Sequence, residues 1–140
     1  MFWDASAFVP LLVEQPWSEF LAGLTGSPRL VWWGTKVECA SAICRLTREN
    51  YWQAEEAAQL LARLDGLVGA AFEVLPSDAV RTKAVRLLRI HSLRAADALQ
   101  LAAALAGCED DPAGFDFVCL DDRLRTAARL EGFRLQPPRL

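Results

Sequence analysis

Leu93-Arg94-Ala95-Ala96-Asp97-Ala98-Leu99-Gln100-Leu101-Ala102-Ala103-Ala104-Leu105 is the stretch around which the chain is organised. Ala and Leu dominate it and neither Gly nor Pro interrupts it, so it reads as a helix. Between Ala95 and Ala106 only Asp97 and Gln100 are polar. A helix apolar on nearly every face belongs in an interior. A lone carboxylate there is costly unless positive charge meets it, from a basic side chain, a helix N-terminus or a metal ion.

On either side of this helix, short apolar runs alternate with helical patterns. Met1-Phe2-Trp3 is a strand candidate ended by Asp4, followed by helices over 6–13 and about 16–22, with Pro16 in a first turn. Gly23, Gly26 and Pro28 mark a loop, 30–33 is a second strand, and Thr35 caps a helix to about residue 48. A helix over about 51–64 stops at the Asp65-Gly66 turn signal, and 72–75 is a third strand, stopped by Pro76. Ser77 caps a helix to about residue 91 with Val80, Ala84, Leu87 and Leu88 on its inner face. After the organising helix ends at Gly107, a polar loop leads to a strand over 115–120. Asp121 opens a helix that Gly132 ends, 133–135 is a last strand, and 136–140, with Pro137-Pro138, reads as a loose tail. Strands alternating with helices predict an α/β fold, a three-layer α/β/α sandwich on a central parallel sheet, as one domain over 1–140.

Composition supports an ordinary globular chain: 140 residues, 53% hydrophobic, 24% charged, net charge -3. No apolar run reaches the ~18 residues of a membrane span. No basic flank precedes an apolar stretch at the N-terminus, so the expectation is a cytoplasmic protein free of the membrane. Cys39, Cys44, Cys108 and Cys119 show no C-x-x-C spacing, and His91 is the one histidine, which argues against a zinc site or a disulfide framework. The cysteines read as core or semi-buried thiols. Base clusters locally, with Arg81, Lys83, Arg86, Arg89 and Arg94 uninterrupted by an acid.

Acids, by contrast, sit in apolar settings. Asp4 and Asp121 each end a strand and open a helix, and the carboxyl ends of parallel strands share one edge, where ligands bind. If the two strands are neighbours, both carboxylates reach one ion. Glu38 lies in Val37-Glu38-Cys39-Ala40-Ser41-Ala42-Ile43, and Asp97 in the organising helix. Each has a structural alternative: a turn for Asp4, an N-cap for Asp121, a pair with Arg45 for Glu38, a helix dipole for Asp97. Four together suggest a shared cation. Oxygen-only ligands suit Mg²⁺ or Mn²⁺, and such sites hydrolyse phosphate esters through a metal-activated water.

The ordered set resembles the PIN-domain ribonucleases, especially the VapC-type toxins of toxin–antitoxin pairs. Met1-Phe2-Trp3-Asp4-Ala5-Ser6 is similar to the family's opening strand-Asp-x-Ser motif, and Val37-Glu38-Cys39-Ala40-Ser41-Ala42 to its second. Leu93 to Leu99 is close to the third, and Phe117 to Leu124 with Asp121-Asp122-Arg123-Leu124 is similar to the fourth. The resemblance implies a metal site of Asp4, Glu38, Asp97 and Asp121, with Ser6 and Asp122 in support and Arg94 and Arg123 toward RNA. It further implies an endoribonuclease using Mg²⁺ or Mn²⁺, leaving a 5′-phosphate and a 3′-hydroxyl, a homodimer, and a cognate antitoxin that blocks the site. Two positions depart from the pattern: Cys119 and Leu120 stand where members often carry Thr or Ser, and Gln100 where many carry His. The competing readings are another Mg²⁺-dependent phosphoryl-transfer domain, a phosphatase or phospho-receiver, and a non-catalytic binding domain that keeps the acids as scaffold. Asp4-Ala5-Ser6 lacks the second Asp of a phosphatase motif.

Overall fold

A computed structural model describes residues 1–24 and 27–140; the Gly26 loop signal lies outside the described residues. In chain order the elements are β1 (Phe2–Trp3), α1 (Ala5–Leu12), α2 (Ser18–Gly23), β2 (Leu30–Trp32), α3 (Thr35–Arg48) and α4 (Ala54–Gly69). Then come β3 (Phe72–Val74), α5 (Asp78–Ile90), α6 (Ala95–Gly107), β4 (Asp116–Val118), α7 (Asp122–Leu130) and β5 (Arg134–Gln136). The five strands form one sheet in the order β3-β2-β1-β4-β5, parallel throughout.

Strand alternation divides the core into two layers. Phe2 and Phe117 point to one face, where they stack at 5.4 Å between ring centroids and pack under α5, α6 and α7. Trp3, Val31 and Val118 point to the other, against α1, α3 and α4. The result is the expected α/β/α sandwich. The organising stretch is α6, and Ala98 and Leu101 to Leu105 are buried as its composition requires. No described helix is long and apolar enough to cross a membrane.

Three local readings change in the folded chain. Helix α4 runs through Asp65-Gly66 to Gly69. Leu60, Leu64 and Val68, four residues apart, bury one stripe against the sheet, and that burial outweighs the ~1 kcal/mol disadvantage of a mid-helix glycine. The same helix starts later than expected, at Ala54, because Asn50 takes φ 60° and the Glu56 carboxylate accepts from the Gln53 N–H to set the entry. Leu88, assigned to the inner face of α5, is 42% exposed, while Val80, Ala84 and Leu87 are buried.

The tail is not loose at its start. Gln136 belongs to β5, and the Arg125 guanidinium donates to the Cys119, Gln136 and Pro137 carbonyls at 2.8, 3.4 and 2.7 Å. Arg125 is only 5% exposed, so this base belongs to the core and not to a basic surface. It ties α7 to the ends of β4 and β5.

Chain order reverses across the sheet between β1 and β4. From β1 the chain moves outward to β2 and β3, and it resumes on the other side with β4 and β5. Such a switch point opens a crevice at the carboxyl ends of the strands. Asp4 follows β1 directly and Asp121 lies just past β4, so the expected adjacency of those two strands is present.

Candidate functional site

Asp4 leaves β1 with its backbone N–H still donating to the Val118 carbonyl at 2.9 Å, and it caps α1. Its Oδ2 accepts from the Ser6 N–H at 2.9 Å and the Ser6 hydroxyl at 2.5 Å. The Ser6 Oγ in turn accepts from the Leu120 N–H at 2.9 Å, which links Asp4 to the end of β4. The carboxylate is 5% exposed, and burial pushes its pKa up despite these donors. Ser6 thus bridges the Asp4 carboxylate and the Leu120 N–H.

Cys119 occupies the ground where a hydroxyl was missing. Its Sγ lies 3.5 Å from Asp4 Oδ2 as donor and accepts from the Asp121 N–H at 3.3 Å. Burial, then the Asp4 charge, push the thiol far above its ordinary range, so it is a neutral donor to Asp4 and no nucleophile. All four cysteines are free, and Cys39 and Cys119 are buried.

Glu38 stands in the first turn of α3. Its Oε1 accepts from Gln100 Nε2 at 3.0 Å, and the same amide nitrogen donates to the Thr35 hydroxyl at 3.1 Å. Thr35 and Gln100 are fully buried. Burial first, and then the Asp4 and Asp97 charges, push Glu38 up to about 7 against the pull of the Gln100 donor. Asp4, Glu38 and Asp97 thus share one electrostatic environment. Asp97 is half-buried, and its Oδ2 accepts from the Arg94 N–H at 3.1 Å, at the start of its own helix. The N-terminus of its own helix thus meets this carboxylate.

Asp121 is more peripheral. It is exposed and caps α7 through the Leu124 N–H at 2.8 Å, and it is not among the charges that shift Glu38. Asp122 opens α7, exposed. Arg94 and Arg123 are exposed, Arg123 beside a shallow pocket it shares with Ile90, His91 and Leu130.

Each carboxylate has turned to its own donor, and among the described residues no group of three or more His, Cys, Asp or Glu is arranged to hold a metal ion. The donor chemistry nevertheless suits a hard cation. The groups are all oxygen, and no Lys or Arg among the described residues forms an ion pair with Asp4, Glu38, Asp97 or Asp121.

No family model matches the chain. Two curated relatives do, each 32% identical over 146 residues, covering 100% of this chain and 96% of the relative. They are Ribonuclease VapC45 of Mycobacterium tuberculosis strain CDC 1551 / Oshkosh and Ribonuclease VapC49 of Mycobacterium tuberculosis strain ATCC 25618 / H37Rv. The chain belongs to the VapC-type PIN-domain family. At the two positions that depart from the pattern, Gln100 is a neutral amide that donates to Glu38, and the Cys119 thiol lies against Asp4.

Sequence reading missed the framing role of Gln100 and Thr35 in this VapC-type chain. A signal existed for Gln100: it lies three residues after Asp97, hence on nearly the same helix face, and is the one other polar residue there. Thr35 read as a cap, but Gly34 is the N-cap of α3 and the Thr35 hydroxyl is spent inside.

Glu38 also sets a pH dependence. Its pKa rises from the ordinary 4.5 to about 7 on folding. The folded chain therefore keeps this proton to higher pH, and the associated stability is present below 4.5 and lost as pH rises through about 7. In EDTA, Glu38→Gln is expected to be more stable than the parent at pH 8 by on the order of 1–2 kcal/mol, after allowance for solvent screening, and equal to it near pH 4. Urea midpoints at the two pH values check this; a constant difference between the proteins would show that Glu38 is not under charge strain.

Proposed function

We propose that this chain is a metal-dependent endoribonuclease, the toxin of a toxin–antitoxin pair. What supports the reading is that the Asp4 and Asp97 charges both push the Glu38 carboxyl up, while none of the three acids is ion-paired with a Lys or Arg among the described residues. Names of the two full-length relatives, both ribonucleases, support the same activity.

In this reading Asp4, Glu38 and Asp97 hold Mg²⁺ or Mn²⁺, with Asp121 and Asp122 at the rim. When bound, such an ion supplies positive charge to the phosphodiester and makes water a better nucleophile. The chain itself contributes placement. Ser6 and Cys119 fix the Asp4 carboxylate, and Gln100 fixes that of Glu38. Arg94 and Arg123 border the approach for RNA phosphates. A cognate antitoxin and a second copy of the chain complete the proposed assembly in the cytoplasm. Exposed Val85, Leu88, Ile90 and Leu130 offer apolar surface for such partners.

Incubation of purified chain with mixed RNA in Mg²⁺, Mn²⁺ or EDTA tests this directly. Cleavage to 5′-phosphate and 3′-hydroxyl ends is expected with metal and none with chelator. A folded, antitoxin-free preparation that leaves RNA intact with either metal overturns the reading. It would leave the phosphatase, phospho-receiver or purely binding alternatives.

A further inference from the structure

A pocket of about 480 Å³ opens from the carboxylate edge along the groove between α1 and α3. Ser6, Val9, Glu38, Ala42, Arg45 and Leu46 are among the residues that line it. Glu38, Ala42 and Arg45 follow at helical spacing on α3 and share a face, which puts Arg45 two turns, about 10 Å, from Glu38 along the helix. The alternative pairing of these two residues is not made, since Glu38 accepts from Gln100. Arg45 is exposed and forms no ion pair among the described residues.

We propose that Arg45 holds a phosphate of the RNA strand next to the one being cut, and that the α1–α3 groove takes the nucleoside between them. The pocket has the size of a small-ligand site, and its lining combines apolar with polar groups. Its two ends carry opposite charge: carboxylates where a metal would meet the scissile phosphate, a guanidinium where the strand leaves. A planar guanidinium is the side chain best suited to a phosphate. This inference rests on the ribonuclease reading. A cation in the last turn of α3 also suits the helix dipole, and a purely structural role predicts a change in stability alone.

The test uses the full chain with Arg45→Ala, Arg45→Lys and, as a control at the far end of α7, Arg129→Ala. On a short single-stranded RNA at fixed Mg²⁺, Arg45→Ala should raise KM by about tenfold, the order of one charge-assisted contact, with kcat within about twofold. Arg45→Lys should fall between it and the parent, because charge returns without the fork. RNA binding measured in an Asp4→Asn background should show a salt slope smaller by about 0.7 once Arg45 is removed, the value for one phosphate contact on a single strand. Arg129→Ala should leave KM and slope unchanged. Equal KM and slope in Arg45→Ala and its parent overturn the inference while leaving a parent that cuts RNA as a ribonuclease. A parent that cuts no RNA overturns both.

Discussion

Asp4→Asn should cut RNA at least about 10³-fold more slowly than the parent, equivalent to about 4 kcal/mol of barrier. The carboxamide keeps the shape and one acceptor for the Ser6 N–H that bonds Oδ2 at 2.9 Å. It loses the negative charge that would hold Mg²⁺. Burial already pushes the Asp4 pKa up, so removing that charge does not threaten the fold, and thermal melts should confirm a folded variant. Asp97→Asn should behave alike, since its carboxylate shares the field that raises Glu38. Asp121→Asn should lose less, about tenfold, because that side chain is exposed and caps α7 and Asn caps nearly as well as Asp. Single-turnover cleavage with excess enzyme is the measurement. Parent-like rates for Asp4→Asn, with contaminating nuclease excluded, would remove Asp4 from the site.

Arg125→Met should destabilise the chain by about 3 kcal/mol, a fall in Tm on the order of 10 °C. Methionine replaces the aliphatic stem of the side chain and none of its donors. The Cys119 and Pro137 carbonyls, which now accept at 2.8 and 2.7 Å, would be left without those bonds. A buried acceptor stripped of its donor loses about 1–3 kcal/mol, and the desolvated charge removed at the same time offsets part of that. Because Cys119 also touches Asp4, the variant should lose activity as well as stability. Guanidinium chloride midpoints decide it: a variant as stable as the parent would mean that water replaces the guanidinium at those carbonyls.

Much of this chain is legible without its fold. Apolar runs broken by Asp4, Pro76 and Gly132 mark strand and helix ends, because capping and turn chemistry act within a few residues. Glu38 and Asp97 stand out for the same local reason: a charge in an apolar helix contradicts its surroundings. The resemblance to PIN domains rests on those local motifs in order, and it holds for the whole chain.

Contacts between distant segments were decided only in three dimensions. Arg125 stands in the sequence near Arg123, Arg129, Arg134 and Arg139 with nothing to set it apart until the ends of β4 and β5 close around it. Cys119 reads as a lost hydroxyl until β1 pairs with β4 and its thiol reaches Asp4. Gln100 meets Glu38 across 62 residues of chain, and α4 ignores its Gly66 because the sheet rewards an unbroken apolar stripe. Local sequence determined the kind and order of the elements and which acids are out of place, since those choices depend on neighbours along the chain. Which donor each acid meets depended on strand order and packing, which no local window contains.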